Sequence, residues 1–229
     1  MSKLGRMVCS SVAQKLLMGL TGLFLVLFLV LHLVGNLLLY FPNPDLFNTY
    51  AYRLDSLGTL KYVAEIGLIL LFGAHIVSAV RLKRNHKAAR PEGYSQFRTK
   101  GGPSKANASS MYMAVSGMVI LVFLIVHVWH FRFGPGIAEG FTATLGGETV
   151  RDLHRLVVES FQNPLYVGFY LLATFLVGVH LRHGIWSAFQ SLGLNRPGFT
   201  KPLYTMGWFL GALLALGFFA IPIYLFVRH

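Results

Sequence analysis

Apolar residues gather in five long runs divided by polar connections, a pattern that predicts five membrane-crossing helices. The runs are residues 16–40, 62–82, 111–130, 164–188 and 203–227. A helix rises 1.5 Å per residue, so about 20 apolar residues cross the hydrocarbon core, and every run reaches that length. The first, LLMGLTGLFLVLFLVLHLVGNLLLY, carries no formal charge; it opens after Lys15 and ends before Pro42, Asn43 and Pro44. Pro164 suits the first turn of the fourth run, where a missing N–H is tolerated, and Pro222 is placed to kink the fifth. The expected fold is all-α, a single polytopic membrane domain over residues 1–229 with its five helices in a bundle. No low-complexity segment and no convincing repeat is visible, although the first two runs and the next two each form a pair with one prominent histidine per run.

The connections predict orientation. Lys3, Arg6 and Lys15 precede the first run. The second connection holds Lys83, Arg84, Lys87, Arg90, Arg98, Lys100 and Lys105, and the fourth adds Arg196 and Lys201. In the other two connections basic residues are offset by Asp45, Asp55, Glu139, Glu148, Asp152 and Glu159. A positive-inside bias then puts the N-terminus and the second and fourth connections in the cytoplasm and the C-terminus outside. The same bias accounts for the net charge of +12 without nucleic acid. The basic second connection suits a soluble partner or anionic lipid headgroups. In the third connection, residues 148–161 place Val150, Leu153, Val157 and Val158 as one face of an amphipathic surface helix. With Cys9 as the only cysteine, disulfides, iron–sulfur clusters held by this chain and multi-thiolate metal sites are excluded. The first run is too long for a signal-peptide core and is expected to stay in the mature protein.

Four of the runs carry an intramembrane histidine: His32, His75, His127 and His180. A desolvated imidazole in a membrane needs a partner, so each is a functional candidate. Counted from the cytoplasmic end of its run, His32 and His127 both lie about 24 Å deep, whereas His75 lies at about 10 Å and His180 at about 12 Å. Two levels, each with two histidines from different helices, match the needs of two bis-histidine haems. Gly35, Ser78 and Gly184, each about one turn from a ligand candidate, would make room for a macrocycle. Zinc is poorly supported, because no cysteine or carboxylate joins either pair. His130 and His183 follow favoured ligands by three residues and suit contacts to propionates or quinone; Arg182 stands beside His183. Glu65, Asp45 and Asn48 near the outer level are candidates for quinone or proton handling, with Glu65 alternatively complementing the start of its own helix.

The segments KLLMGLTGLFLVLFLVLHLVGN, FNTYAYRLDSL, KYVAEIGLILLFGAHIVSAV, HVWHFR and HLRHGIWSAFQSLG occur in order along the chain. Together they resemble the cytochrome b membrane anchor of succinate:quinone oxidoreductases (succinate dehydrogenase and fumarate reductase), in its single-chain, five-helix, dihaem form. The resemblance implies two haems b, with His75 and His180 holding the inner one and His32 and His127 the outer one. It implies a bacterial cytoplasmic membrane, with a flavoprotein (FAD) and an iron–sulfur subunit docked on the cytoplasmic face and no succinate-oxidising site on this chain. It further implies electron transport to a membrane quinone, usually menaquinone, near the outer haem. Alternatives are a dihaem cytochrome b of a hydrogenase or formate dehydrogenase complex, or a haem-free scaffold or transporter.

Overall fold

The computed structural model describes residues 10–89, 112–196 and 198–228. Cys9, His229 and the basic residues between Ala89 and Tyr112 lie outside them. Among the described residues, seven α-helices and one hairpin follow in the order α1 (Ser11–Asn36), α2 (Pro44–Asp55), α3 (Thr59–Ala89), α4 (Met113–Arg132), β1 (Thr142–Leu145), β2 (Glu148–Arg151), α5 (Leu153–Ser160), α6 (Pro164–Ser191) and α7 (Thr200–Arg228). Short 3-10 turns cover Leu37–Tyr40 and Ile137–Glu139. Helices α1 (with its 3-10 extension), α3, α4, α6 and α7 are long and apolar enough to cross a membrane, the five anticipated. Each overlaps its predicted run, and α3 extends furthest beyond it, to Ala89.

The ends follow from local chemistry. Ser10 Oγ accepts from Ala13 N at 3.2 Å and opens α1. Asn43 and Asn163 each cap a helix whose first residue is proline, where no N–H is left to satisfy. Helix α6 closes in a Schellman turn: Gly193 N donates to Gln190 O and Leu194 N to Phe189 O. Gly193 supplies the left-handed backbone there, at φ 76°. Pro222 lies within α7, which continues through it.

Two connections differ from the sequence expectation. Residues 44–55, including Asp45 and Asn48, form a helix rather than a loop. The amphipathic segment 148–161 is divided: its first four residues pair antiparallel with Thr142–Leu145, turning at Gly146–Gly147, and only Leu153–Ser160 is helical. The left-handed φ values of those two glycines, 59° and 89°, permit so tight a turn. This cap is fastened at both ends. Asn48, buried, donates from Nδ2 to Asp152 Oδ1 at 2.8 Å and accepts from His154 N at 2.9 Å, tying α2 to α5. Arg151 donates to the carbonyls of Phe131, Gly134 and Pro135, at 3.0, 3.2 and 2.8 Å, where α4 ends.

Helices α1, α6 and α7 form the packed centre. Small residues let α6 and α7 approach closely: a Cβ added at Gly178 would fall 2.5 Å from Ala215 Cβ, and one at Gly211 3.0 Å from Arg182 N. Leu214, Ile221 and Leu225 of α7 are buried against α6 and α1. Helix α3 packs mainly on α1, and α4 mainly on α6. By contrast α1 with α4, and α3 with α6, make at most sparse backbone contact.

Candidate functional site

Across those two sparse pairings the four histidines face each other. The rings of His32 (α1) and His127 (α4) have centroids 5.8 Å apart, edge to face. Those of His75 (α3) and His180 (α6) are 6.5 Å apart. His32 is therefore brought to His127 and not to His75, the next histidine along the chain. All four side chains are half-buried. Phe28 stacks on His32 and Phe218 lies 5.8 Å from it; Phe123 and Phe131 flank His127.

Hydroxyl groups approach the Nδ1 atoms of three of the rings. Thr21 Oγ1 is 3.4 Å from His75 Nδ1, Ser116 Oγ is 3.1 Å from His180 Nδ1, and Tyr170 OH is 3.1 Å from His127 Nδ1. Such contacts orient an imidazole and leave Nε2 free to bind a metal. An ion held between two opposed imidazoles through bonds of about 2 Å would place the ring centroids about 6 Å apart, close to both separations. The residues therefore fit two bis-histidine groups. Among the described residues no cluster of three or more histidine, cysteine or carboxylate side chains has a metal-binding arrangement.

The remaining sequence candidates are placed as follows. His130 Nε2 donates to Ser160 Oγ at 2.8 Å, because that hydroxyl's own proton goes to Leu156 O at 2.6 Å; the contact ties α4 to α5. Glu65 lies in the second turn of α3, and its partner is Arg132 of α4 at 2.7 Å, not the start of its own helix. Asp45 is exposed in the first turn of α2, while Asn48 is engaged in the α2–α5 tie. Gly35 has a different neighbour from the one expected: a Cβ there would lie 2.5 Å from Tyr50, so this glycine admits the tyrosine ring rather than a macrocycle. At Gly184 a Cβ would meet nothing within 4 Å. Ser78 is buried in α3. Arg182 donates to Tyr204 OH at 3.4 Å, and His183 beside it is half-buried. Sequence reasoning missed Thr21, Ser116 and Tyr170. The signal for the first two was present as Thr-Gly and Ser-Gly, each eleven residues before a histidine.

These features define the class: a multi-pass helical membrane protein that brings intramembrane histidines together in two pairs. The chain is similar to the succinate dehydrogenase cytochrome b558 subunit of Bacillus subtilis (strain 168), with 28% identity over 170 residues, 74% of this chain and 73% of the relative. That likeness bears out the family resemblance carried by the helix motifs. No family model and no solved structure matches the chain.

Proposed function

We propose that this chain is the dihaem cytochrome b anchor of a succinate:quinone oxidoreductase, carrying electrons between an iron–sulfur subunit and a membrane quinone. The observation that supports it most is the pairing of His32 with His127 and of His75 with His180 at ring separations of 5.8 and 6.5 Å. Nε2 of His75 and His180 would hold the inner haem, and Nε2 of His32 and His127 the outer one. When bound, each haem supplies an iron centre that exchanges one electron. The chain's own part is to fix the imidazoles, to surround the outer pair with Phe28, Phe123, Phe131 and Phe218, and to exclude water from both levels.

Quinone, taken as menaquinone, is placed at the outer level, toward the hairpin. There the Glu65–Arg132 pair and His130 are the groups available to hold or move a proton. Asn48 serves the architecture instead, since both ends of its amide are engaged within the cap. The N-terminal end of the bundle faces the cytoplasm, where the flavoprotein and iron–sulfur subunits dock, in a bacterial cytoplasmic membrane. Electron movement across the bilayer is then worth about 2.3 kcal/mol per 100 mV of membrane potential.

The test is a reduced-minus-oxidised optical spectrum with haem counted per chain, for the parent, His32→Ala and His75→Ala. Two b-type haems in the parent, with a different one lost in each variant, are expected. Absence of b-type absorption in the parent overturns the proposal.

A further inference from the structure

Thr21 and Gly22 stand eleven and ten residues before His32 on α1, and Ser116 and Gly117 stand eleven and ten before His127 on α4. At 3.6 residues per turn, eleven residues make about three turns, so the hydroxyl residue and the histidine share one helix face, with the glycine beside it. Each dipeptide meets a histidine of a neighbouring helix in the same manner. The Thr21 hydroxyl approaches Nδ1 of His75, and a Cβ added at Gly22 would touch His75 Cε1 at 3.4 Å. The Ser116 hydroxyl approaches Nδ1 of His180, and a Cβ at Gly117 would touch His180 Cε1 at 3.5 Å. The two imidazoles thus rest edgewise on a glycine with a hydroxyl at Nδ1.

The direction of these hydrogen bonds is determined by the backbone. A hydroxyl has one proton. Thr21 Oγ1 directs its proton to Leu17 O at 2.7 Å, and Ser116 Oγ to Met113 O at 3.1 Å. With its proton on a carbonyl each oxygen offers lone pairs toward the imidazole, an arrangement that favours the hydrogen on Nδ1 and leaves the Nε2 lone pair free; for His75 the Met18 carbonyl is a further acceptor beside Thr21. The outer pair is built differently. His127 faces Tyr170, whose hydroxyl is shared with Tyr166 and not committed to a carbonyl, and among the described residues the His32 ring has aromatic neighbours but no hydrogen-bond partner.

We propose that Thr21–Gly22 and Ser116–Gly117 are matched seats that hold His75 and His180 in the neutral tautomer that presents Nε2 to iron, and that their hydroxyls tune the inner haem. The proposal rests on the reading of these histidines as haem ligands. Accepting a hydrogen bond from Nδ1–H makes the ligand more basic and favours the oxidised metal. Thr21 and Ser116 are positioning residues, acting on the iron only through the histidines.

The experiment uses the full chain purified from membranes in its haem-loaded form, with an optical redox titration and a haem count. His75→Ala identifies the inner haem's contribution to the spectrum. In Thr21→Val and Ser116→Ala, the inner haem's reduced-to-oxidised ratio at a given potential is expected to rise about tenfold, an upward shift of about 59 mV, with the outer haem unchanged. Loss of the inner haem alone in these variants, with retention in Thr21→Ser and Ser116→Thr, supports the same conclusion. The hydroxyl-keeping swaps are expected to titrate like the parent. An inner potential unmoved in both hydroxyl-less variants, a shift falling on the outer haem, or an equal shift in the swaps overturns the seats while leaving a two-haem parent intact. A parent without haem would instead overturn the ligand reading beneath them.

Discussion

The hydroxyl of Tyr170 stands 3.1 Å from Nδ1 of His127 and 3.1 Å from the hydroxyl of Tyr166. An intramembrane imidazole is thereby linked to two phenols one turn apart on α6. The Tyr170 ring is buried among Phe123, Phe161 and Tyr166, with centroids 5.0, 4.9 and 4.7 Å away. Packing and hydrogen bonding at this position can therefore be separated. Tyr170→Phe keeps the ring and removes the link, so stability should fall by only about 1 kcal/mol. On the haem reading, a redox titration should show the outer haem moved and the inner one unmoved.

Asn48 closes the cap over the same end of the bundle through one acceptor and one donor. Asn48→Ala removes the amide that donates to Asp152 Oδ1, which keeps the Arg155 N–H, and the oxygen that accepts from His154 N. A cost of about 1–3 kcal/mol is expected, as for a buried polar group deprived of its hydrogen bond. Thermal unfolding in detergent gives the magnitude, and earlier proteolysis at the Gly146–Gly147 turn would show that the loss is local to the cap.

Glycine sets the contact between α6 and α7. Gly178→Ala drives a methyl group to 2.5 Å from Ala215 Cβ, and overpacking of this kind costs about 1–3 kcal/mol. Ala215→Gly in the same chain should recover most of that loss. A double-mutant cycle on unfolding midpoints measures the coupling, and simple additivity of the two changes would contradict the contact.

Glu65 and Arg132 join α3 to α4 by an ion pair whose side chains are 37% and 41% exposed. Exposed pairs contribute at most about 1 kcal/mol, so Glu65→Gln should barely change the unfolding midpoint. If this carboxylate handles protons for a quinone, quinone reduction falls at least about tenfold while stability holds, a loss of about 1.4 kcal/mol in transition-state stabilisation. Equal activity of the variant and the parent would remove Glu65 from the proton path.

The Tyr52 phenol, on α2, donates to Glu148 of the hairpin. That hydrogen bond, then the Glu148 charge and desolvation, raises the phenol above its usual range. A raised folded-state pKa means that the latch is complete below the ordinary phenol pKa of about 10 and is lost as pH rises through the higher folded value. Proteolysis at the hairpin should accordingly accelerate only at strongly alkaline pH, and Tyr52→Phe should abolish that transition.

The spans were legible because a membrane helix declares itself by unbroken apolar length, and helical rise turned residue numbers into depth, matching His32 with His127. What escaped depends on partners far along the chain. Asn48 meets Asp152 across 104 positions, and nothing near Asn48 announces that bond. Gly35 was expected to leave space for a macrocycle because it follows His32, but Tyr50 occupies that space from a helix read as loop. Thr21 and Ser116 were hidden for another reason. A hydroxyl in an apolar helix ordinarily bonds its own backbone, as both do here, and only the second contact with a histidine sets them apart. Their spacing was visible, but α3 and α6 carry no such dipeptide, so the runs did not read as a repeat.

Arg151 ends as the most demanding residue of the hairpin. The carbonyls it collects belong to Phe131, Gly134 and Pro135, up to twenty positions earlier in the chain. A growing chain therefore inserts α4 before the group that satisfies its terminus has been made. The end of the helix that carries His127 is thus complete only once the hairpin has folded back upon it.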